Sequence, residues 1–190
     1  MRTSALYLLA SLMLASFTVT AATIGGVEIP DTVKLADGGP ALVLNGTGVR
    51  KKLFLDIYIG ALYLPAKSSD ARAILTSPGA ACVAMHFLYK EVSREKITSA
   101  WEDGLAANHT AAEMQALQPQ LEKFNALFRT MHKSDVIRIC FQPGTGTEVS
   151  INGERRGNVE GETFFHAVLG IWLGTHPVSN DLKQGMLGIN

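Results

Sequence analysis

Apolar and polar positions along this chain change period several times, and each change marks an element. Ala41–Leu44 is a short apolar run ending at Asn45-Gly46-Thr47-Gly48, which reads as a strand closing on a turn. A long extended run follows from Leu53 to Leu64, rich in Leu, Ile and Tyr, and Pro65 stops it. From Cys82 to Tyr89 both alternating sets are largely apolar. Val83, Met85, Phe87 and Tyr89 fall on one side, and Cys82, Ala84, His86 and Leu88 on the other. A strand of this kind is covered on both faces, or lines a pocket on one.

The period then becomes helical. Ser93 caps a helix whose stripe is Ile97, Ala100, Trp101, Gly104 and Leu105. Thr110 and Glu113 have capping-box spacing and start a second stripe: Met114, Leu117, Leu121, Phe124, Phe128 and Met131. Pro119 predicts a break or kink within it. Strands are expected over Val136–Phe141 and Glu148–Ile151, separated by Pro143-Gly144-Thr145-Gly146 and closed by the tight-turn pair Asn152-Gly153. Phe164, Phe165, Val168, Leu169, Ile171 and Trp172 form a wide helical stripe, and Ser179 caps a last helix carrying Leu182 and Met186. Before all these, Gly25–Pro40 reads as an edge strand entering a turn, and Ser69 as the cap of a short helix over Asp70–Leu75. Strands and helices in separate blocks predict an α+β fold, an antiparallel β-sheet packed against a layer of α-helices.

The first segment is of another kind. Met1-Arg2 is followed by a nearly unbroken apolar run from Ala5 to Phe17, then by Val19-Thr20-Ala21. A positive start, an apolar centre and small residues at this spacing predict a secretory signal peptide, residues 1–21, cleaved after Ala21 or Ala22. The run of roughly 13 residues falls short of the ~20 needed to span a bilayer. The mature domain, residues 22–190, is expected to be periplasmic or secreted, with no membrane span. Export permits a disulfide between Cys82 and Cys140, the only two cysteines; two buried free thiols are the other reading.

Composition removes several function classes. Lys+Arg and Asp+Glu number 17 each, so the net charge is +0, with neither a nucleic-acid footprint nor a polybasic run for a membrane surface. The five histidines lack zinc-site spacing, and Glu162 with His166 on one helical turn lacks a third ligand. Gly46–Gly48 and Gly144–Gly146 do not open a helix after a strand, so they do not cradle phosphate. No serine-hydrolase elbow occurs. No metal or organic cofactor is expected.

Arg50 remains. It lies between the glycine-rich turn and the most apolar strand, and strict alternation would put Arg50, Phe54 and Tyr58 on one face unless a bulge intervenes. A guanidinium beside a phenol can donate several hydrogen bonds to one carboxylate or phenolate. A strand-end arginine in a surface ion pair is the structural alternative.

The run Leu42–Arg50 followed by Ile57–Pro65 resembles the opening strands of chalcone-isomerase-like proteins. The likeness continues through Pro143–Gly146, Ile151–Gly153, Phe164–Gly174 and Asp181–Gly188, in order, across nearly all of residues 25–190. It is most similar to the exported bacterial branch. The resemblance implies an antiparallel sheet wrapped by helices with a ligand cleft between them. The family holds enzymes that close a chalcone to a flavanone, fatty-acid binders and non-catalytic helpers. Its Gly-Val-Arg arginine matches Arg50, which in the binders anchors a carboxylate with help from a strand tyrosine, here Tyr58 or Tyr63. The enzymes' strand Thr falls near Tyr58, their helix-borne Tyr and Asn near Val92–Ile97, and their C-terminal Ser/Thr near Phe165, so that polar set is not retained. The resemblance therefore implies a non-catalytic binder of a fatty acid or similar small apolar or amphipathic anion. An intramolecular lyase acting on an enone is the alternative, and an envelope interaction protein presenting Trp101 and Phe128 is a third.

Overall fold

The computed structural model describes residues 21–36, 38–77 and 79–189. The expected signal peptide thus lies almost wholly outside the described residues. Strands β1 (Ala21–Ile24) and β2 (Val27–Pro30) form a separate hairpin. The chain continues through β3 (Thr32–Lys34), β4 (Ala41–Lys52), β5 (Leu55–Leu64), helix α1 (Ala71–Leu75), β6 (Ala81–Phe87) and the two-residue β7 (Glu91–Val92). Helices α2 (Arg94–Ala106) and α3 (Ala111–Asn125) follow, then β8 (Met131–His132), which pairs with β7. Next come β9 (Val136–Gln142), β10 (Gly146–Ile151), β11 (Glu154–Val159), α4 (Glu162–Leu173) and α5 (Asn180–Met186). The main sheet has seven strands in the order β11-β10-β9-β6-β5-β4-β3, paired antiparallel. The architecture is α+β, as the blocks of strand and helix periodicity imply.

The sheet separates two apolar layers. On one face Tyr58, Leu62, Val83, Met85, Phe87, Ile137 and Ile139 pack against the stripes of α2, α3, α4 and α5. On the other, Ile59, Ala61, Tyr63, Cys82 and Ala84 are covered by Ile29, Val33 and Leu35. This explains the doubly apolar pattern of β6, buried at every position. Helix starts follow their caps: the side chains of Ser93, Thr110 and Ser179 each accept a backbone N–H of the first turn, and Thr110 and Glu113 close a full capping box. α1 is capped by Asp70 rather than Ser69. Of the break or kink expected at Pro119, the break does not occur: α3 runs continuously through it, with Leu117, Leu121 and Phe124 buried in the core. Burial of that stripe outweighs the single N–H that proline lacks. No described helix is long and apolar enough to cross a membrane.

Three strand expectations change. Asn45–Gly48 is not a turn but the middle of β4, which runs on to Lys52. The glycines serve close approach: a Cβ on Gly46 would sit 2.3 Å from the Gly185 carbonyl oxygen, and one on Gly48 3.0 Å from Leu182 Cα. The turn lies instead at Leu53-Phe54, inside the run read as one strand. Leu53 takes φ 57° there, a left-handed position that costs a leucine roughly 1–2 kcal/mol. Finally, β11 is an edge strand whose polar text hides it: Arg155 pairs with Glu148 of the neighbouring β10 at 2.7 Å.

Candidate functional site

Two bulges position the site. Leu42 and Leu44 face the β1–β2 side, as does Val49. The register of β4 on β5 slips between Leu44 and Gly46, so Asn45 is the extra residue. Even-numbered positions therefore change face: Gly46 and Gly48 turn to α5, and Arg50 follows onto the helix side. Asn45 is buried and pins this bulge, donating through Nδ2 to the carbonyls of Ser68 (3.0 Å) and Met186 (2.8 Å) and accepting from the Ser68 N–H (2.7 Å). A second slip between Arg50 and Lys51 leaves Ile57 as the extra residue of β5, and its carbonyl accepts from the N–H groups of Leu88 and Tyr89.

Arg50 and Tyr58 are direct cross-strand partners. Tyr58 is buried, and its hydroxyl accepts from Trp172 Nε1 at 3.0 Å. Burial pushes the Tyr58 phenol up to about 12, while the Trp172 hydrogen bond and the Arg50 charge pull the other way. The hydroxyl thus keeps its proton and can still donate it. Arg50 is half-buried and donates to the Lys51 carbonyl. Among the described residues no carboxylate lies within salt-bridge distance of it. Phe87 and Tyr58 are tilted at 5.9 Å, and Trp101 stands edge-on to Trp172 at 5.8 Å. The Trp101 indole N–H is buried with no acceptor among the described residues. The corner between β5, α2 and α4 is therefore aromatic and carries donors, with the Trp101 N–H left unmatched.

The other candidates are separated from this pair. Tyr63 faces the opposite layer, packed with Ile29 and Ala61, and its hydroxyl donates to the Pro30 carbonyl at 2.9 Å. Five positions along a strand reverse the face, so Tyr63 cannot join Arg50 and Tyr58 at one ligand. Burial also holds its phenol up at about 12, lowered by Arg138 and raised by Asp31. Phe54, expected on the Arg50 face, stands in the hairpin turn and is 87% exposed. Val92 to Ile97, where the resemblance sets polar partners, form the β7–α2 junction, with Ile97 buried in the core. Phe165 is buried and stacks on Phe141 at 5.0 Å. Trp101 and Phe128 pack inward, 5.3 Å apart, and offer no outer surface. Trp172 is the residue that sequence reasoning missed. An indole within an apolar stripe needs an acceptor, and that requirement was the available signal.

Cys82 and Cys140 oppose each other directly on β6 and β9, and a disulfide joins them. His86, on the β1–β2 side of β6, is buried with Nε2 unpartnered, and burial followed by the Arg138 charge holds its pKa below the usual imidazole value. Glu162 and His166 approach only to 4.0 Å, and the His166 ring hydrogen-bonds the Ser77 carbonyl. Among the described residues no three potential metal ligands cluster.

Two well-formed cavities among the described residues lie away from Arg50. One of about 290 Å³ lies between α1 and Phe165. The other, of about 450 Å³, lies under α3, beside Leu117, Gly170 and His109.

A solved structure of a fatty-acid binding protein of Arabidopsis thaliana, AtFAP1, is similar in fold, with a TM-score of 0.65 at 16% identity over 88% of this chain and 96% of that one. No curated protein matches the chain. A family profile described as chalcone isomerase-like matches residues 21–188, from the first described strand to just past α5. A doubly covered antiparallel sheet, an arginine brought by a bulge to the helix face and a match over the whole described fold agree: this chain belongs to the chalcone isomerase-like family.

Proposed function

We propose that this protein binds an apolar carboxylate such as a fatty acid, held at the head by Arg50 and Tyr58. The observation that carries the reading is Arg50 itself: a half-buried guanidinium with no carboxylate partner among the described residues, opposite a buried phenol that remains protonated. A carboxylate there would accept charge-assisted hydrogen bonds from Arg50 and a bond from the Tyr58 hydroxyl. The acyl chain would lie against Phe87, Trp101 and Trp172, which must shift to admit it. A phenol held near 12 is a poor general base at neutral pH, which favours binding over enone cyclisation. The protein acts outside the cytoplasm in this reading, released from its signal peptide; the mature N-terminus would be Ala22 or Thr23, as N-terminal sequencing would show.

Titration with oleate, followed by tryptophan emission, tests the site, since both tryptophans border it. Saturable quenching is expected, with Arg50→Met weakening affinity by about tenfold or more. Absence of saturable binding by any long-chain carboxylate, or equal affinity in Arg50→Met, overturns the reading.

A further inference from the structure

The β4–β5 hairpin ends in a turn that buries nothing of its own. Leu53 and Phe54 are each 87% exposed; of the other large apolar residues described, only Ile189 is exposed, at 44%. Two adjacent apolar side chains are thus held out at one tip, Leu53 by a left-handed backbone that asparagine or glycine would adopt more readily. Behind the tip stand Arg50, Lys51 and Lys52, the lysines exposed. The turns at the same end of the sheet add Lys90 and Lys133, the Lys133 N–H donating to the Lys90 carbonyl, while Leu88 and Tyr89, just before Lys90, donate to the Ile57 carbonyl of β5. The carboxylates at this end are few. Asp56 meets Lys51 at 3.6 Å with both groups well exposed, Glu91 faces His132 at 3.5 Å, Asp135 is engaged by Arg129 at 3.0 Å, and Glu154 of the β10–β11 hairpin pairs with Arg156 at 3.1 Å. A chain of net charge +0 whose sequence shows no polybasic run for a membrane surface is thereby given one end where cations outnumber anions around an apolar point, because the fold gathers Lys51, Lys52, Lys90 and Lys133 from separate turns.

We infer that this tip docks on an anionic lipid surface, with Leu53 and Phe54 entering the headgroup–acyl boundary and Lys51, Lys52, Lys90 and Lys133 meeting lipid phosphates. Two side chains are far less than a protein interface requires, since each partner in a stable complex covers about 800 Å². They match shallow insertion, about 5–10 Å, backed by a cationic collar. The inference stands apart from the carboxylate reading. Combined with it, docking would bring the Arg50–Tyr58 pair, at the base of the same hairpin, to a source of acyl chains.

The test uses the full chain and Phe54→Trp in the same background, so any membrane affinity of residues 1–20 is common to both. The native tryptophans are buried, which leaves the new indole as the reporter of the tip. Vesicles of phosphatidylglycerol mixed with brominated phosphatidylcholine should shift its emission to the blue and quench it. Vesicles of brominated phosphatidylcholine alone should not. Lys51→Glu and Lys52→Glu, added to Phe54→Trp, should each lower the partition by about fivefold or more, and high salt should reverse the shift. Unshifted emission with phosphatidylglycerol vesicles overturns the inference. So does an equal shift on both vesicles that survives the lysine reversals. A shift without vesicles that grows with protein concentration also overturns it, assigning the tip to a second copy of the chain.

Discussion

The Trp172 indole donates to the Tyr58 hydroxyl at 3.0 Å, linking α4 to the strand that faces Arg50. Both groups are buried, so neither can exchange this bond for water. Replacing Trp172 by Phe removes the donor and leaves space, which should cost about 2–3 kcal/mol in urea unfolding. A cycle with Tyr58→Phe isolates the bond. A coupling energy near 1 kcal/mol is expected, and additive losses would show that the contact contributes packing alone.

The two buried phenols make stability fall at alkaline pH. Tyr58 and Tyr63 are raised from 10.0 to about 12. Between these values the unfolded chain loses phenolic protons that the folded chain retains. Their stabilisation is therefore complete below pH 10 and is lost as pH rises through about 12. Tyrosinate absorbance should show both groups silent until the protein unfolds. In Arg50→Met the Tyr58 phenol should move still higher, because the guanidinium favours the phenolate. Ionisation of both at an ordinary tyrosine pH would contradict the burial.

The Cys82–Cys140 bond closes a long loop, with a sequence separation of 58. Constraining that loop in the unfolded chain should stabilise the protein by about 4 kcal/mol. Protein isolated without reductant should show no reactive thiol until denatured and reduced. The double variant Cys82→Ala, Cys140→Ala should unfold at correspondingly lower urea. Two reactive thiols in the native protein isolated without reductant would rule the bond out.

α5 lies on the sheet through glycine. A Cβ on Gly185 would stand 2.3 Å from the Thr47 carbonyl oxygen and 2.9 Å from Gly48 Cα, both backbone atoms that cannot rotate away. Gly185→Ala should cost about 1–3 kcal/mol or more by overpacking. Gly144→Ala, at a turn with open space but positive φ, should cost less. Thermal unfolding of the two variants checks the order.

Much of the helical layer was legible in the sequence because its signals are local. Ser93, Thr110 and Ser179 cap helices where their spacing to the next residues says they should, and the stripes through Trp101, Phe124 and Phe164 face the core. The doubly apolar text of β6 likewise announced a strand covered on both sides. Arg50 was visible as an arginine at the edge of an apolar run, but its face was not. One unpaired residue at Asn45 inverts the alternation of β4, and nothing near Asn45 in sequence marks the bulge, since its partners are Ser68 and Met186. The same limit hid the meaning of Gly46 and Gly48, whose neighbour α5 arrives from the far end of the chain. It also hid the turn at Leu53-Phe54, where a leucine holds a position that turn chemistry assigns to glycine. The helices and the apolar cores of the strands follow from the sequence alone, because caps and periodicity act over a few residues, whereas the polar strand β11 and the true ends of β4 do not. Which side chains share a face with Arg50 is set by the fold, because bulges and close backbone contacts depend on partners distant in the chain.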